Sequence, residues 1–272
     1  MPFTDLRTLD SVYELSPGEV RYYRDNGFVR LRQALPPLLV EHYREAITRL
    51  VDQLGAQRVP LENRSTYDKA FLQITNLWQK SAAVRQFAFG KRLARIASEL
   101  MGCGGVRLWH DQALYKEPGG GITPWHADQY YWPLSSERAI TAWIPLLDVP
   151  LEMGPLAFAP GSHRLQSGRD VAISDESEAT LKQKLVEYGC DERPFDLGDV
   201  SFHSGWTFHR AGANRSARMR EVFTVIYIDQ EMRLAEPRNQ NQAADWKAWC
   251  PEVKPGEVID AVLTPVLYTS EK

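Results

Sequence analysis

Long apolar runs and cysteines are both scarce in this sequence of 272 residues. No stretch approaches the ~18 consecutive apolar residues of a transmembrane helix, so we expect no membrane partner. Met1–Asp10 has two acidic residues and no apolar run, which argues against a secretory signal. The three cysteines, Cys103, Cys190 and Cys250, show neither metal-binding spacing nor the pattern of a disulfide framework. We therefore predict a cytoplasmic protein.

An excess of charge of either sign is absent as well. The chain has 32 Lys and Arg residues against 35 Asp and Glu residues, and its net charge is −3. This balance gives no electrostatic reason to expect a nucleic acid as partner. With 43% hydrophobic residues and no internal repeat, the chain has the composition of a globular protein. We expect a single domain over residues 1–272.

Helical patterns fill the first third of the chain, and strand patterns follow. Ser16–Glu19 has the residue order of a capped helix start. From Val106 onward, runs rich in β-branched and aromatic residues alternate with turn residues. We predict helices over Pro36–Leu54, Val84–Met101 and Glu178–Tyr188, and strands over Val106–Tyr115, Ile140–Leu147, Leu156–Ala159, Asp199–His203 and Met219–Asp229.

This order of elements predicts an α+β fold that is mainly β. Residues 1–105 form a mainly helical part that buttresses an antiparallel sandwich or barrel. The strand core covers residues 106–230. Residues 231–272, which contain two tryptophans and several prolines, are predicted to be a covering segment.

A metal-binding motif stands at Trp125–Asp128, where His126 and Asp128 are two residues apart. Alternate residues of a strand point to the same face, so both side chains can reach one metal ion. Two histidines and one carboxylate leave three coordination positions open, the arrangement of non-haem Fe(II) oxygenases. A His-x-Asp triplet by itself is weak evidence and needs a third ligand. The candidates are His163, His203 and His209.

An arginine follows His209 at a spacing that would bring the two side chains close together on neighbouring antiparallel strands. A polar turn and a strand beginning near Met219 come after His209, and Arg220 lies 220 − 209 = 11 residues further on. Alternate residues of Arg220–Ile226 share one face, which we expect to be the inner one. A buried guanidinium needs an anion and can bind a carboxylate through two hydrogen bonds. The alternative partner is a protein carboxylate such as Asp199.

These residues resemble the phytanoyl-CoA dioxygenase family of Fe(II)/2-oxoglutarate-dependent oxygenases, and the likeness covers nearly the whole chain. The most specific matches are Asp111–Gln112, Lys116–Pro118, Trp125–Gln129, Thr141–Leu146, Met153–Leu156, Pro160–His163, Gly198–Val200 and His209–Arg220 with Asn214 and Ser216.

The resemblance implies a double-stranded β-helix, a jelly-roll or cupin-like fold, with N-terminal helices. It implies that Fe(II) is bound by His126, Asp128 and His209. His163 is then set aside as part of a turn. His203 is set aside because its position along its strand predicts an outward side chain.

The resemblance also implies a binding site for 2-oxoglutarate. Arg220 is expected to bind the distal carboxylate, and Gln112 and Trp143 fall where the family also contacts the co-substrate. Ala211 is a departure, because some members have a serine there that touches 2-oxoglutarate. One hydrogen bond of about 1 kcal/mol would be missing.

The family consumes O2 and 2-oxoglutarate, releases succinate and CO2, and oxidises a C–H bond of a small-molecule substrate. Related halogenases have a small residue at the position of Asp128, so a carboxylate there predicts hydroxylation. The alternatives are an inactive member that acts as a binding protein, and a cupin-like metalloenzyme of another reaction type. The complete ligand set and Arg220 argue against both.

Other residues near the motif have two interpretations each. Trp125 and Tyr130–Trp132 are either core residues or a wall of the substrate pocket. Lys116 is either a site residue or a surface lysine. Arg210 and Arg215 either meet an anionic substrate or are solvated surface residues, and composition favours the second interpretation. Gln73 is a candidate from the helical region, and no basic cluster indicates a site for CoA phosphates.

Overall fold

Two antiparallel sheets and a layer of helices make up the described part of the chain, residues 5–55 and 61–270, in this computed structural model. The helices are α1 (Pro17–Asn26), α2 (Pro37–Leu54), α3 (Thr66–Ala70), α4 (Ala82–Ala88), α5 (Lys91–Met101), α6 (Asp175–Lys184) and α7 (Gln240–Trp249). The strands are β1 (Phe28–Leu31), β2 (Leu72–Thr75), β3 (Gly105–Tyr115), β4 (Thr123–His126), β5 (Ala139–Pro145), β6 (Leu156–Phe158), β7 (Asp191–Glu192), β8 (Val200–Ser204), β9 (His209–Ala211), β10 (Val222–Asp229) and β11 (Val266–Thr269).

The larger sheet has the strand order β1-β8-β5-β10-β3-β11, and β2 also pairs with β3. The smaller sheet has the order β4-β9-β6-β7. Neighbouring strands are antiparallel in both sheets. This architecture confirms the predicted fold class, α+β and mainly β, with the two sheets of a double-stranded β-helix.

Both faces of the larger sheet are buried, each against a different part of the molecule. Phe223 and Val225 of β10 pack in the same core as Tyr43 of α2 and Ile96 of α5. The alternate residues of β10 turn to the other face, where Thr224 lines a cavity. The helices therefore buttress the sheet from outside, and the cavity lies between the two sheets.

Some element boundaries differ from the predictions. The predicted helix Val84–Met101 is two helices, because α4 ends at Ala88 and α5 starts after Gly90. A Cβ at Gly90 would lie 3.2 Å from the carbonyl oxygen of Leu9, so this break admits a close backbone contact. The capped start at Ser16 is confirmed, since its side chain and that of Glu19 form a capping box.

The C-terminal residues do more than cover the core, because β11 extends the larger sheet and α7 lines the cavity. Among the described residues, no helix is both long and apolar enough to cross a membrane. The two ends of the predicted domain, and part of Met1–Asp10, lie outside the described residues.

Candidate active site

Three potential metal ligands meet where β4 and β9 pair. His126 is the last residue of β4, and it lies opposite His209, the first residue of β9. Asp128 Oδ1 lies 3.6 Å from Nε2 of both histidines. Asp128 was predicted to lie on the same strand as His126. Instead, it starts a 3-10 helix over Asp128–Tyr131. The convergence predicted for the three side chains is nevertheless present, with ligand atoms within 4.8 Å of one another.

Backbone carbonyl groups fix the orientation of both imidazoles. Nδ1 of His126 lies 2.7 Å from the carbonyl oxygen of Pro124, and Nδ1 of His209 lies 3.0 Å from that of Thr207. When each Nδ1–H donates to its carbonyl, each Nε2 keeps a lone pair that faces Asp128. The chain thus presents two nitrogen donors and one oxygen donor to a common point.

The protonation states of this cluster suit a metal ion. Burial raises the pKa of Asp128, but the neighbouring histidines, led by His209, outweigh this and hold the pKa well below its usual range. Burial first, and then the neighbouring His126, lower the pKa of His209 far below its ordinary value. An ionised carboxylate and a neutral imidazole are the forms that bind metal ions.

His203 faces the cavity, so the prediction that it points outward is wrong. Its Nε2 lies 3.1 Å from Oδ2 of Asp128, and the same oxygen accepts a hydrogen bond of 2.9 Å from Thr141 Oγ1. These contacts occupy Oδ2 and leave Oδ1 to face His126 and His209. The alternation along β8 could not reveal this, because apolar Phe202 packs under the helices on the opposite face of the sheet.

Thr141 also lies at the site, although it was not predicted as a site residue. It lies directly opposite His203 in the pairing of β5 with β8. Trp143, two residues further along β5, was a predicted site residue, and side chains two apart share a face. That parity was the signal that could have found Thr141. His163, in contrast, lies outside the cavity lining, as predicted.

Arg220 is 2% exposed and forms no ion pair among the described residues. Its Nη1 donates a hydrogen bond of 2.5 Å to the carbonyl oxygen of Gly154, and its Nε has no partner. Burial lowers the pKa of Arg220 to about 10, which leaves it charged at neutral pH. The alternative partner Asp199 instead accepts a hydrogen bond from the backbone of Gln33. The guanidinium is therefore a buried cation without a protein anion.

Gln112 and Trp143 line the same cavity as Arg220. The guanidinium carbon of Arg220 lies 5.8 Å from the centre of the Trp143 ring. Gln112 accepts a hydrogen bond of 2.5 Å from the amide of Gln73, which in turn accepts one from the hydroxyl of Tyr67. The residues predicted to contact the co-substrate thus lie together in one cavity, and Gln73 also lines it.

One cavity of about 250 Å³ connects these groups. Its lining includes both sheets and α7, and its residues are Tyr67, Phe71, Gln73, Thr75, His110, Gln112, Leu114, Thr123, His126, Asp128, Tyr131, Trp132, Thr141, Trp143, Leu156, Ile173, His203, His209, Ala211, Arg220, Thr224, Asp245 and Trp249.

Comparison with known proteins assigns the chain to a family. The sequence pattern described as Phytanoyl-CoA dioxygenase (PhyH) matches residues 23–222. The chain belongs to this family. It is 22% identical to the probable alpha-ketoglutarate-dependent hypophosphite dioxygenase of Stutzerimonas stutzeri over 222 residues, 76% of each protein. It is 25% identical to 1-deoxypentalenic acid 11-beta-hydroxylase of Streptomyces exfoliatus over 218 residues, 72% of this chain and 74% of the relative.

A solved structure has the same fold. The epimerase SnoN, in complex with Fe3+, alpha ketoglutarate and nogalamycin RO, matches with a TM-score of 0.77 and 25% identity. The match covers 92% of this chain and 98% of that chain. The predicted family and jelly-roll fold are confirmed, and so is the predicted class of enzyme, a 2-oxoglutarate-dependent dioxygenase.

Two of the four aromatic residues around His126 and Asp128 face the cavity. Tyr131 and Trp132 line it, whereas Trp125 packs in a separate core and Tyr130 lies outside. Asp245 and Trp249, which were not predicted as site residues, reach the cavity from α7. No local signal distinguished them from residues of a covering segment.

The basic residues near the motif have structural roles or are exposed. Lys116 is completely buried, against both interpretations, and its Nζ donates hydrogen bonds of 2.7 Å to the carbonyl oxygens of Gly121 and Gly212. Arg210 pairs with Glu178 at 3.0 Å, and Arg215 is exposed. Among the described lining residues, Arg220 is therefore the only permanent cation.

Proposed function

We propose that this protein is an Fe(II)/2-oxoglutarate-dependent dioxygenase that hydroxylates a C–H bond of a small organic molecule. The observation that carries this proposal is the convergence of His126, Asp128 and His209 in a cavity that also holds the buried cation Arg220. Two imidazoles and one carboxylate fit iron of this oxygenase type and leave positions for a chelating co-substrate.

The side chains divide the work between metal and co-substrate. His126, Asp128 and His209 hold Fe(II), and Arg220 binds the distal carboxylate of 2-oxoglutarate with Gln112 and Trp143 beside it. Iron held by these residues would supply the activation of O2, with 2-oxoglutarate as the co-substrate that is converted to succinate and CO2. Ala211 lines the cavity without a hydroxyl, so the co-substrate lacks one hydrogen bond there.

Hydroxylation is the proposed outcome because Asp128 keeps a carboxylate at the position where halogenases have a small residue. Epimerisation, as named for the relative SnoN, is the second candidate, and isotopic oxygen separates the two. Hydroxylation transfers an atom from labelled O2 into the product, whereas epimerisation leaves the product unlabelled.

Two further expectations belong to this proposal. Residues 1–272 act as a single domain, which agrees with the part that α7 and β11 take in the cavity and the larger sheet. A cytoplasmic location remains a prediction from the scattered cysteines, which are free in the described structure.

Succinate formation from 2-oxoglutarate tests the proposal. Purified protein with Fe(II) and O2 should release succinate slowly even without substrate. His209→Ala should abolish this release and tight Fe(II) binding, because two protein ligands hold a labile divalent ion poorly. His163→Ala is the matched control, since it removes a histidine outside the cavity and should leave the release unchanged. Normal turnover in His209→Ala would refute the ligand assignment.

A further inference from the structure

A carboxylate lies at the end of the cavity away from Arg220. Asp245 is on α7 and lines the cavity together with Trp249 of the same helix. The ring of His110 packs 5.2 Å from that of Trp249, and His110 pairs with Ile226 of β10. Ile226 is 226 − 220 = 6 residues beyond Arg220, which is roughly 20 Å of extended chain. We call these regions the Arg220 end and the Asp245 end.

Helix α7 is anchored to the turn that carries Asp128. The side-chain amides of Gln242 and Asn239 donate hydrogen bonds of 3.0 and 3.3 Å to the carbonyl oxygen of Tyr130. Tyr130 belongs to the 3-10 helix that begins at Asp128. The position of Asp245 is therefore fixed relative to the proposed metal ligands.

Asp245 has no cationic partner among the described residues. The indole N–H groups of Trp109 and Trp249 interact with its carboxylate, yet both are buried and neither reaches hydrogen-bonding geometry with an acceptor. Burial raises the pKa of Asp245 to about 7 against the opposing effect of the two indoles. Asp245 is half-buried, so incomplete pairing of its carboxylate carries a cost that a bound cation would reduce.

Aromatic rings complete this end of the cavity. Tyr67, Tyr131 and Trp249 line it, and burial raises the pKa of both tyrosines, with smaller contributions from the charges of Asp128 and then Asp245. Aromatic faces attract cations. His110 does not oppose a cation, because burial lowers its pKa to about 4 and leaves it neutral at neutral pH. The described lining residues thus place no positive charge at this end.

We propose that the primary substrate carries a protonated or quaternary ammonium group, which binds Asp245 between Tyr67, Tyr131 and Trp249. This inference rests on the proposed function, in which 2-oxoglutarate occupies the Arg220 end. The two ends then take ligands of opposite charge. The co-substrate and the substrate cannot exchange places, and the body of the substrate lies toward the metal ligands.

Two probes of the same shape test the preference for charge. Choline and the neutral 3,3-dimethylbutan-1-ol are titrated into protein loaded with Fe(II) and 2-oxoglutarate under anaerobic conditions, with tryptophan fluorescence as the signal. We expect the wild type to bind choline about tenfold more tightly than the alcohol, or better. Asp245→Asn should lose this preference, and Asp245→Glu should keep it. The matched control Glu252→Gln, at an exposed site outside the cavity lining, should also keep it.

Equal affinities of the wild type for the two probes, or no binding of choline, would overturn the proposal. A preference that survives in Asp245→Asn would do the same, since another group would carry it. The affinity of Asp245→Asn for 2-oxoglutarate reports on folding, because it depends on the opposite end and should not change. Wild-type succinate formation without a choline preference removes only the cation site, whereas no succinate formation removes the proposed function itself.

Discussion

The Arg220 end and the Asp245 end of the cavity are built from different kinds of structure. Side chains at the Arg220 end stand on, or directly beside, the long strands of the larger sheet. The Asp245 end is built by connections, namely α3, the 3-10 helix after β4 and α7, which supply Tyr67, Tyr131 and Asp245. Connections can vary in sequence without disturbing the sheets. The same two sheets can therefore bind one co-substrate, while changes in the connections alter which substrate is bound.

The two ends also differ in the sign of their charge. Among the described residues, Arg220 is buried without a protein anion, and the half-buried Asp245 lacks a protein cation. Each charge lacks a partner that a ligand can supply. The two ends share only the proposed metal ligands. Substitutions at one end should therefore leave the affinity for ligands at the other end intact.

Removal of the cation at the Arg220 end should have the largest effect. Arg220→Ala is expected to raise the apparent KM for 2-oxoglutarate about 30-fold or more, because the loss of one partner of a buried charge pair costs about 2–5 kcal/mol. Arg220→Lys should recover only part, since an ammonium group lacks the planar fork. Steady-state kinetics measure both. Fe(II) affinity and the choline preference should hardly change.

An unchanged KM for 2-oxoglutarate in folded, iron-loaded Arg220→Ala protein would mean that the co-substrate anchor lies elsewhere. Arg220 would then not be a ligand-binding cation, and the two ends would no longer differ in the charge of the ligand that they bind.

Substitutions around Asp128 should lower the affinity for Fe(II) without changing the side chains at either end of the cavity. Thr141→Val, which is nearly isosteric, and His203→Leu each remove one contact to Oδ2 of Asp128. Loss of such a supporting contact weakens metal binding by about tenfold or more, and Fe(II) titration measures it. His203→Gln, which keeps an N–H donor, should recover part of the affinity. A rise in KM for 2-oxoglutarate without a change in Fe(II) affinity would contradict this role.

The smallest expected effect is a pH dependence of stability that comes from the Asp245 end. The pKa of Asp245 in the fold, about 7, lies above its ordinary value of 3.8. The native state therefore holds this proton more tightly, and the stabilisation is full at low pH and is lost as pH rises toward 7. The melting temperature of Asp245→Asn, relative to that of the metal-free wild type, should rise between about pH 4 and about pH 7 and then level off.

Differential scanning calorimetry measures this difference, and each ~1 kcal/mol shifts the midpoint by roughly 2–4 °C in a protein of this size. Glu252→Gln, which loses the same charge at an exposed site, should show no such trend. A difference between Asp245→Asn and wild type that stays constant with pH would contradict the raised pKa and leave the two ends alike in this respect.

Local spacing predicted that His126 and Asp128 converge and that Arg220 faces inward, whereas the choice of His209 over His163 and His203 came from the family resemblance. His126 and Asp128 are two residues apart, and a turn of polar residues joins His209 to the strand that follows Arg220. Such short-range relations indicate which side chains share a face, whereas the meeting of His126 with His209 depends on the pairing of β4 with β9. The predicted inner face of Arg220–Ile226 was correct for this reason, even though Asp128 itself proved to lie beyond the end of β4.

Only the tertiary structure decided the direction of His203 and the arrival of Asp245 in the cavity. Both faces of β8 are buried, so the alternation of apolar residues could not tell the helical side from the cavity side. Asp245 meets Trp109 across 245 − 109 = 136 residues, and that contact depends on how α7 docks on the turn after β4. A periodic pattern records which side of an element is apolar, but what lies against that side is set by packing of distant segments.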